Sequence, residues 1–133
     1  MSAPAPKAAS RPLSPHLSIY KPQLTTGMSI FHRVTGVGLC FALPVLVGWL
    51  LALSAGPETY GQFMKCLLSP VGKLFLTGWS WAFCYHLCTG IRHMLWDAGY
   101  LLELPQVYAS GRIALGVSTI LTVFLWLYVW GIA

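Results

Sequence analysis

Three long stretches of the chain, residues 34–57, 74–91 and 113–133, carry no charged residue. Each is close to the roughly 20 residues that an α-helix needs to cross the hydrocarbon core of a bilayer. The pattern predicts an all-α membrane protein with three transmembrane helices, at about 29–54, 71–95 and 112–130. Residues 1–28 then form an N-terminal surface segment, and residues 29–133 a three-helix transmembrane domain. The polar stretches between the blocks carry breaks. Residues 1–10 are rich in Ala and Pro and read as a disordered lead, and residues 11–26 hold too many prolines and turn residues for a helix. Thr26, Gly27 and Ser29 offer chemistry for a helix start, and Ser69-Pro70 offers it again. Pro44 falls inside the first block, where a membrane helix tolerates a kink. Gly56-Pro57 ends that block, and residues 58–66 form a short connection with an amphipathic turn. Residues 97–111 form the second connection, broken by Pro105. No internal repeat is visible.

Composition agrees with this reading. Of 133 residues, 56% are hydrophobic and 8% charged, whereas a soluble domain carries about 25% charged residues. So few charges cannot cover a water-facing surface. The net charge of +5 matters through its placement. Lys7, Arg11, Lys21 and Arg33 precede or begin the first span, Arg92 and Arg112 flank the second connection, and Lys65 and Lys73 belong to the first. Positive residues concentrate on the cytoplasmic side. The N-terminus and the second connection are therefore expected inside, the first connection and the C-terminus outside. Trp49, Trp126 and Trp130 fall near the expected outer face, and Tyr20, Trp96, Tyr100 and Tyr108 near the inner one. No apolar core follows the first residues, so they do not read as a secretory signal. A bacterial inner membrane fits better than a mitochondrial one.

The four cysteines, Cys40, Cys66, Cys84 and Cys88, suggest no disulfide framework, and three lie inside spans as small apolar fillers. No C-x-x-C-H motif supports covalent haem attachment. The chemistry sits on His86, inside an apolar span. Ionisable side chains are rare there unless they have a function. Imidazole is a common ligand of haem iron. The other reading is a histidine hydrogen-bonded to a neighbouring helix. Gly90 and His93 follow His86 at four and seven positions and share its face. Glycine there leaves room for a flat macrocycle, or for close helix packing. Cys84, His86 and Cys88 do not form a metal trio, because His86 projects away from the face the cysteines share. His86 and His93 are about 10 Å apart along the axis, too close for two haems on one helix. His93 can pair with Asp97 one turn on and is expected to be structural or to support His86 from outside. A haem on His86 needs its second axial ligand from another subunit. His16 lies outside the span and His32 at its edge. The fold is then one part of a heteromeric helix bundle. A second constellation, Ser29-Ile30-Phe31-His32-Arg33, places Ser29 and Arg33 one turn apart. Together they can hold a quinone headgroup or meet haem propionates. Equally, Ser29 can be an N-cap and Arg33 can snorkel to lipid phosphates.

The segments RPLSPHLSIY, SIFHRVTG and HLCTGIRHMLWD closely resemble the cytochrome b membrane-anchor subunit of succinate dehydrogenase (succinate:quinone oxidoreductase). The likeness runs from Arg11 to the third span, with no motif position substituted. It implies three transmembrane helices paired with a second small anchor chain. One haem b is shared between the two chains, each giving an axial histidine. It implies docking of an iron–sulfur subunit and a flavoprotein, and ubiquinone as electron acceptor, linking the tricarboxylic acid cycle to the respiratory chain. The motifs assign haem iron to His86, the vicinity of a haem propionate and the quinone to His32, and the quinone site to Ser29 and Arg33. The N-terminal segment would meet the iron–sulfur subunit. No catalytic residue for succinate is expected in this chain. Two other readings are a haem-free quinone anchor of a fumarate reductase-type complex and a small proton or ion transporter subunit. The spans offer no second carboxylate or lysine to serve the latter.

Overall fold

The fold, a computed structural model, describes residues 21–132. Expectations for residues 1–20, among them Lys7, Arg11, His16 and Tyr20, lie outside the described residues, as does the side chain of Trp130. Four helices follow one another: α1 (Leu24–Ser54), α2 (Pro57–Leu67), α3 (Pro70–Asp97) and α4 (Leu104–Ile132).

α1 begins five residues before the expected start, with Gln23 as its N-cap and no side-chain cap. No proline lies between Pro22 and Pro44, so nothing in that stretch stops a helix. Ser29 and Gly27 are thus interior residues rather than caps. Pro44 stays inside α1, where it lacks the N–H that would bond the Cys40 carbonyl.

The first connection holds a helix where an amphipathic turn was expected. Gly56 takes φ +105°, open to glycine and strained for other residues. Pro57 then occupies the first turn, Glu58 lies near the positive end of the helix dipole, and Lys65 near the negative end. The 11 residues of α2 span about 17 Å, too little to cross a bilayer. α2 packs on α1 through Phe63, whose ring would meet a Cβ at Gly48 at 3.3 Å.

α3 starts where Ser69-Pro70 predicts. The Ser69 side chain accepts from the Gly72 N–H at 3.2 Å, and Pro70 fills the first helical position. The helix ends in a Schellman motif: Tyr100 N–H bonds Leu95 O, Gly99 N–H bonds Trp96 O, and Gly99 takes φ +83°. The second connection shrinks to residues 98–103, held by the Trp96 indole N–H on Leu101 O at 3.0 Å. Pro105 does not break this region as expected. It lies in the first turn of α4, where a missing N–H costs nothing.

α1 and residues Leu104–Val129 of α4 are long and apolar enough to cross a membrane. α3, with 28 residues, is about 42 Å long but carries Lys73, His86, Arg92 and His93. It packs against α4 on one side and α1 on the other. The late part of α3 meets the early parts of both neighbours, so it runs antiparallel to each. The buried residues are mostly small or polar: Thr35, Thr89, Ser118, Thr122 and Ala114, with Met28, Ala52, Tyr85 and Arg92. The hydroxyls of Thr35, Thr89 and Thr122 bond carbonyls of their own helices. Large apolar side chains point outward instead, Leu74 being 72% exposed and Phe41 69%. Small residues at helix contacts and apolar ones outside are how helices pack where the surroundings are as apolar as leucine.

Candidate functional site

His86 lies about three-fifths of the way along α3 and faces α1. Its Nδ1 stands 3.0 Å from the carbonyl oxygen of His32. A carbonyl only accepts, so Nδ1 carries the proton and Nε2 keeps a free lone pair. Thr35 Oγ1 lies 3.3 Å from the same Nδ1. The single Thr35 proton is already directed to Phe31 O at 2.8 Å or His32 O at 2.9 Å, so toward His86 this hydroxyl accepts. Gly36 completes the seat. A Cβ there would meet His86 Cε1 at 3.0 Å and Nδ1 at 3.5 Å. Glycine is what lets the imidazole lie against the α1 backbone.

His32 stacks on His86, with centroids 3.9 Å apart and planes 9° from parallel. Its Nδ1 is 2.7 Å from Thr89 Oγ1. The Thr89 hydroxyl donates to Tyr85 O at 2.7 Å, so here too Nδ1 is the protonated nitrogen. His93 donates from Nδ1 to Thr89 O at 2.7 Å. Its ring lies 4.8 Å from His32 and edge-on to Trp96 at 5.2 Å. The pairing with Asp97 that the spacing allows His93 is not formed. The carbonyl one turn back is nearer than a carboxylate one turn on, because side chains lean toward the helix N-terminus. A Cβ at Gly90 would lie 3.9 Å from His32 Cε1, an ordinary contact. The close approach falls at Gly36.

The structure thus joins three histidines from two helices, as the sequence spacing alone did not show. They do not form a metal cluster: among the described residues no group of three or more potential ligands can hold an ion. Stacking at 3.9 Å leaves no space for a flat macrocycle between the His32 and His86 rings. Ser29 and Arg33 lie on α1 either side of His32, Ser29 half-buried and Arg33 exposed. Among the described residues neither bonds to the three histidines.

Arg92 is a second polar centre that sequence reasoning passed over. It is 4% exposed. Its Nε–H donates to Ser110 Oγ at 2.9 Å, one Nη–H donates to Val107 O at 2.7 Å, and the guanidinium lies 3.9 Å over the Trp96 ring. It ties α3 to α4 below the histidines. Gly111 makes room for it: a Cβ there would reach Met28 Sδ at 2.9 Å and Arg92 at 3.6 Å. The signal available in the sequence was a cation directly after a glycine-spaced histidine face. Charge placement alone read it as a flank of the connection.

Residues 7–125 match the family described as succinate dehydrogenase/fumarate reductase transmembrane subunit. The chain is similar to the succinate dehydrogenase cytochrome b556 subunit of Rickettsia typhi, 46% identical over 116 residues, covering 87% of this chain and 90% of that one. It is 38% identical over 114 residues to the cytochrome b556 subunit of Paracoccus denitrificans, covering 86% and 88%. It is 38% identical over 130 residues to the cytochrome b560 subunit of Reclinomonas americana, covering 89% and 85%.

Proposed function

The chain belongs to the succinate dehydrogenase/fumarate reductase transmembrane subunit family, and from that premise we propose that it is the haem b-bearing membrane anchor of a succinate:ubiquinone oxidoreductase. It is a subunit of an enzyme and not its catalytic core. With three acidic residues in all, it performs no succinate chemistry itself. Helices α1, α3 and α4 cross a bacterial inner membrane, with the N-terminus and residues 98–103 on the cytoplasmic side. The iron–sulfur subunit and the flavoprotein dock on that side. A second anchor chain completes the bundle.

His86 would hold the haem iron for this chain. What supports this is its tautomer: Nδ1–H is held by the His32 carbonyl, so Nε2 is left as the donor. Metal-bound histidines almost always carry this second hydrogen bond, which fixes the ring and raises its basicity. Because His32 is stacked on His86 rather than set apart from it, a further haem ligand would come from the second anchor. Haem, when bound, would supply a one-electron redox centre. His32 would help hold a propionate or line the quinone pocket.

Ser29 and Arg33 bind the quinone headgroup at the cytoplasmic end of α1. Reduction adds two electrons, delivered by the iron–sulfur subunit, and two protons from the cytoplasmic side. Negative charge builds on the quinone oxygen before protonation, and a fixed guanidinium stabilises it without reorganising. Ser29 donates its hydroxyl proton as a hydrogen bond to that oxygen. The exposed position of Arg33 suits a pocket closed by another subunit.

The test is a reduced-minus-oxidised spectrum of the detergent-purified complex, native against His86→Ala. A b-type signal that is lost or shifted in the variant supports the assignment. A native complex without haem absorption leaves a haem-free quinone anchor of the fumarate reductase type.

A further inference from the structure

Thr35 is a buried hydroxyl with no part in the reading above. It is 6% exposed and sits between α1 and α3. A threonine inside a helix ordinarily satisfies its hydroxyl on its own carbonyls, and Thr35 does so. That leaves its lone pairs facing the neighbouring helix, and the group they face is the Nδ1–H of His86 at 3.3 Å. The His32 carbonyl takes the same proton at 3.0 Å. His86 Nδ1–H is therefore shared between two acceptors, and Gly36 lets the ring come close enough to reach both. These three neighbours come from one turn of α1, so the ring is held by a single rigid element.

We propose that Thr35 is a positioning residue for His86: its hydroxyl, with the His32 carbonyl, fixes the ring rotation and tautomer and so sets the redox potential and retention of the haem. This rests on His86 being the axial ligand. An acceptor on Nδ1–H draws the proton outward and makes Nε2 a stronger donor. A stronger donor favours ferric over ferrous iron. Removing one acceptor weakens that preference and raises the potential. The ring also gains freedom, so haem leaves more readily.

The experiment compares native complex with Thr35→Val and Thr35→Ser, purified with all subunits. Valine keeps the shape and removes the hydroxyl. Serine keeps the hydroxyl and removes the methyl group. Haem potential is read by potentiometry at fixed pH, and haem release by transfer to excess apomyoglobin. Thr35→Val is expected to raise the potential and to speed haem release by roughly tenfold, the low end of what outer-shell ligand partners contribute. Thr35→Ser is expected to match native in both. Should the valine complex fail to assemble, Thr35→Ala, which leaves space rather than bulk, carries the same expectation. Native potential and release in the hydroxyl-free variant would overturn the proposal, as would equal shifts in the valine and serine variants, which would mark the effect as packing. Failure of the underlying reading looks different: His86→Ala would then keep a native b-type spectrum.

Discussion

At the residue scale, the site is a set of proton assignments. Each of three imidazoles has its Nδ1 proton committed to a carbonyl or hydroxyl acceptor, and each keeps a lone pair on Nε2. Among the described residues His86 has its ring seated closest to a glycine, at Gly36. Arg33 differs from all of these in being exposed, and the role proposed for it is electrostatic. Arg33→Ala is expected to cut succinate:quinone reductase activity by about a hundredfold, in the range for one lost charge-stabilising donor. Electron transfer from succinate to a water-soluble dye accepting at the flavin or clusters should stay native. Equal loss of both activities would instead mean failed assembly. The sequence singles out His86, Ser29, His32 and Arg33 as candidates, because an intramembrane histidine and an i, i+4 hydroxyl–cation pair stand out against an apolar background. It does not single out Thr35, Gly36 or Thr89. Their importance lies in the register of α1 against α3, a contact between residues more than fifty positions apart. Nothing local marks a threonine as an acceptor for another helix.

At the scale of elements, the long apolar blocks announced their helices, and Ser69-Pro70 announced a start. The errors were at ends and in connections. Pro105 was read as a breaker because proline stops an ongoing helix, yet the same residue is welcome in the first turn. The short α2 was reduced to a turn because 11 residues are marginal as an isolated helix. Tertiary contact with α1 supplies what local propensity lacks. Of the described glycines, Gly72 at the junction of α2 and α3 has the least room for a side chain. A Cβ at Gly72 would run into the Leu67 carbonyl oxygen and lie 2.7 Å from the Cys66 oxygen. Those neighbours are backbone and cannot swing away. Gly72→Ala should therefore displace the start of α3 and lower the thermal unfolding midpoint of the complex. The stability loss should be at least the roughly 1–3 kcal/mol typical of overpacking. Gly78→Ala, on open helix surface with nothing within 4 Å, is the matched control and should unfold as native does. The same midpoint for both variants would mean the junction relaxes freely.

At the scale of the whole molecule, two observations have to be satisfied together. The large apolar side chains point outward, so the bundle is stable only in contact with lipid and other apolar helices. The polar and titratable side chains between α1 and α3 gather toward one end, with Arg33, Arg92 and Arg112 near it. Placing that end in the cytoplasm follows the positive-inside tendency and puts the quinone residues where an electron donor can dock. It also sends α2 to the opposite, periplasmic side. The cysteines of the chain make this testable. Cys66 is exposed near the end of α2, whereas Cys40 lies mid-way along α1 and Cys84 and Cys88 are half-buried in α3. A thiol reacts through its thiolate, which forms in water and not among acyl chains. A membrane-impermeant maleimide should therefore label the 14.6 kDa chain in intact spheroplasts, and Cys66→Ser should abolish that labelling. Inside-out vesicles should give none until detergent is added. Labelling confined to inside-out vesicles would place α2 in the cytoplasm. That would put His32, Ser29 and Arg33 on the far side from any cytoplasmic electron donor, and both the orientation and the quinone assignment would fall together.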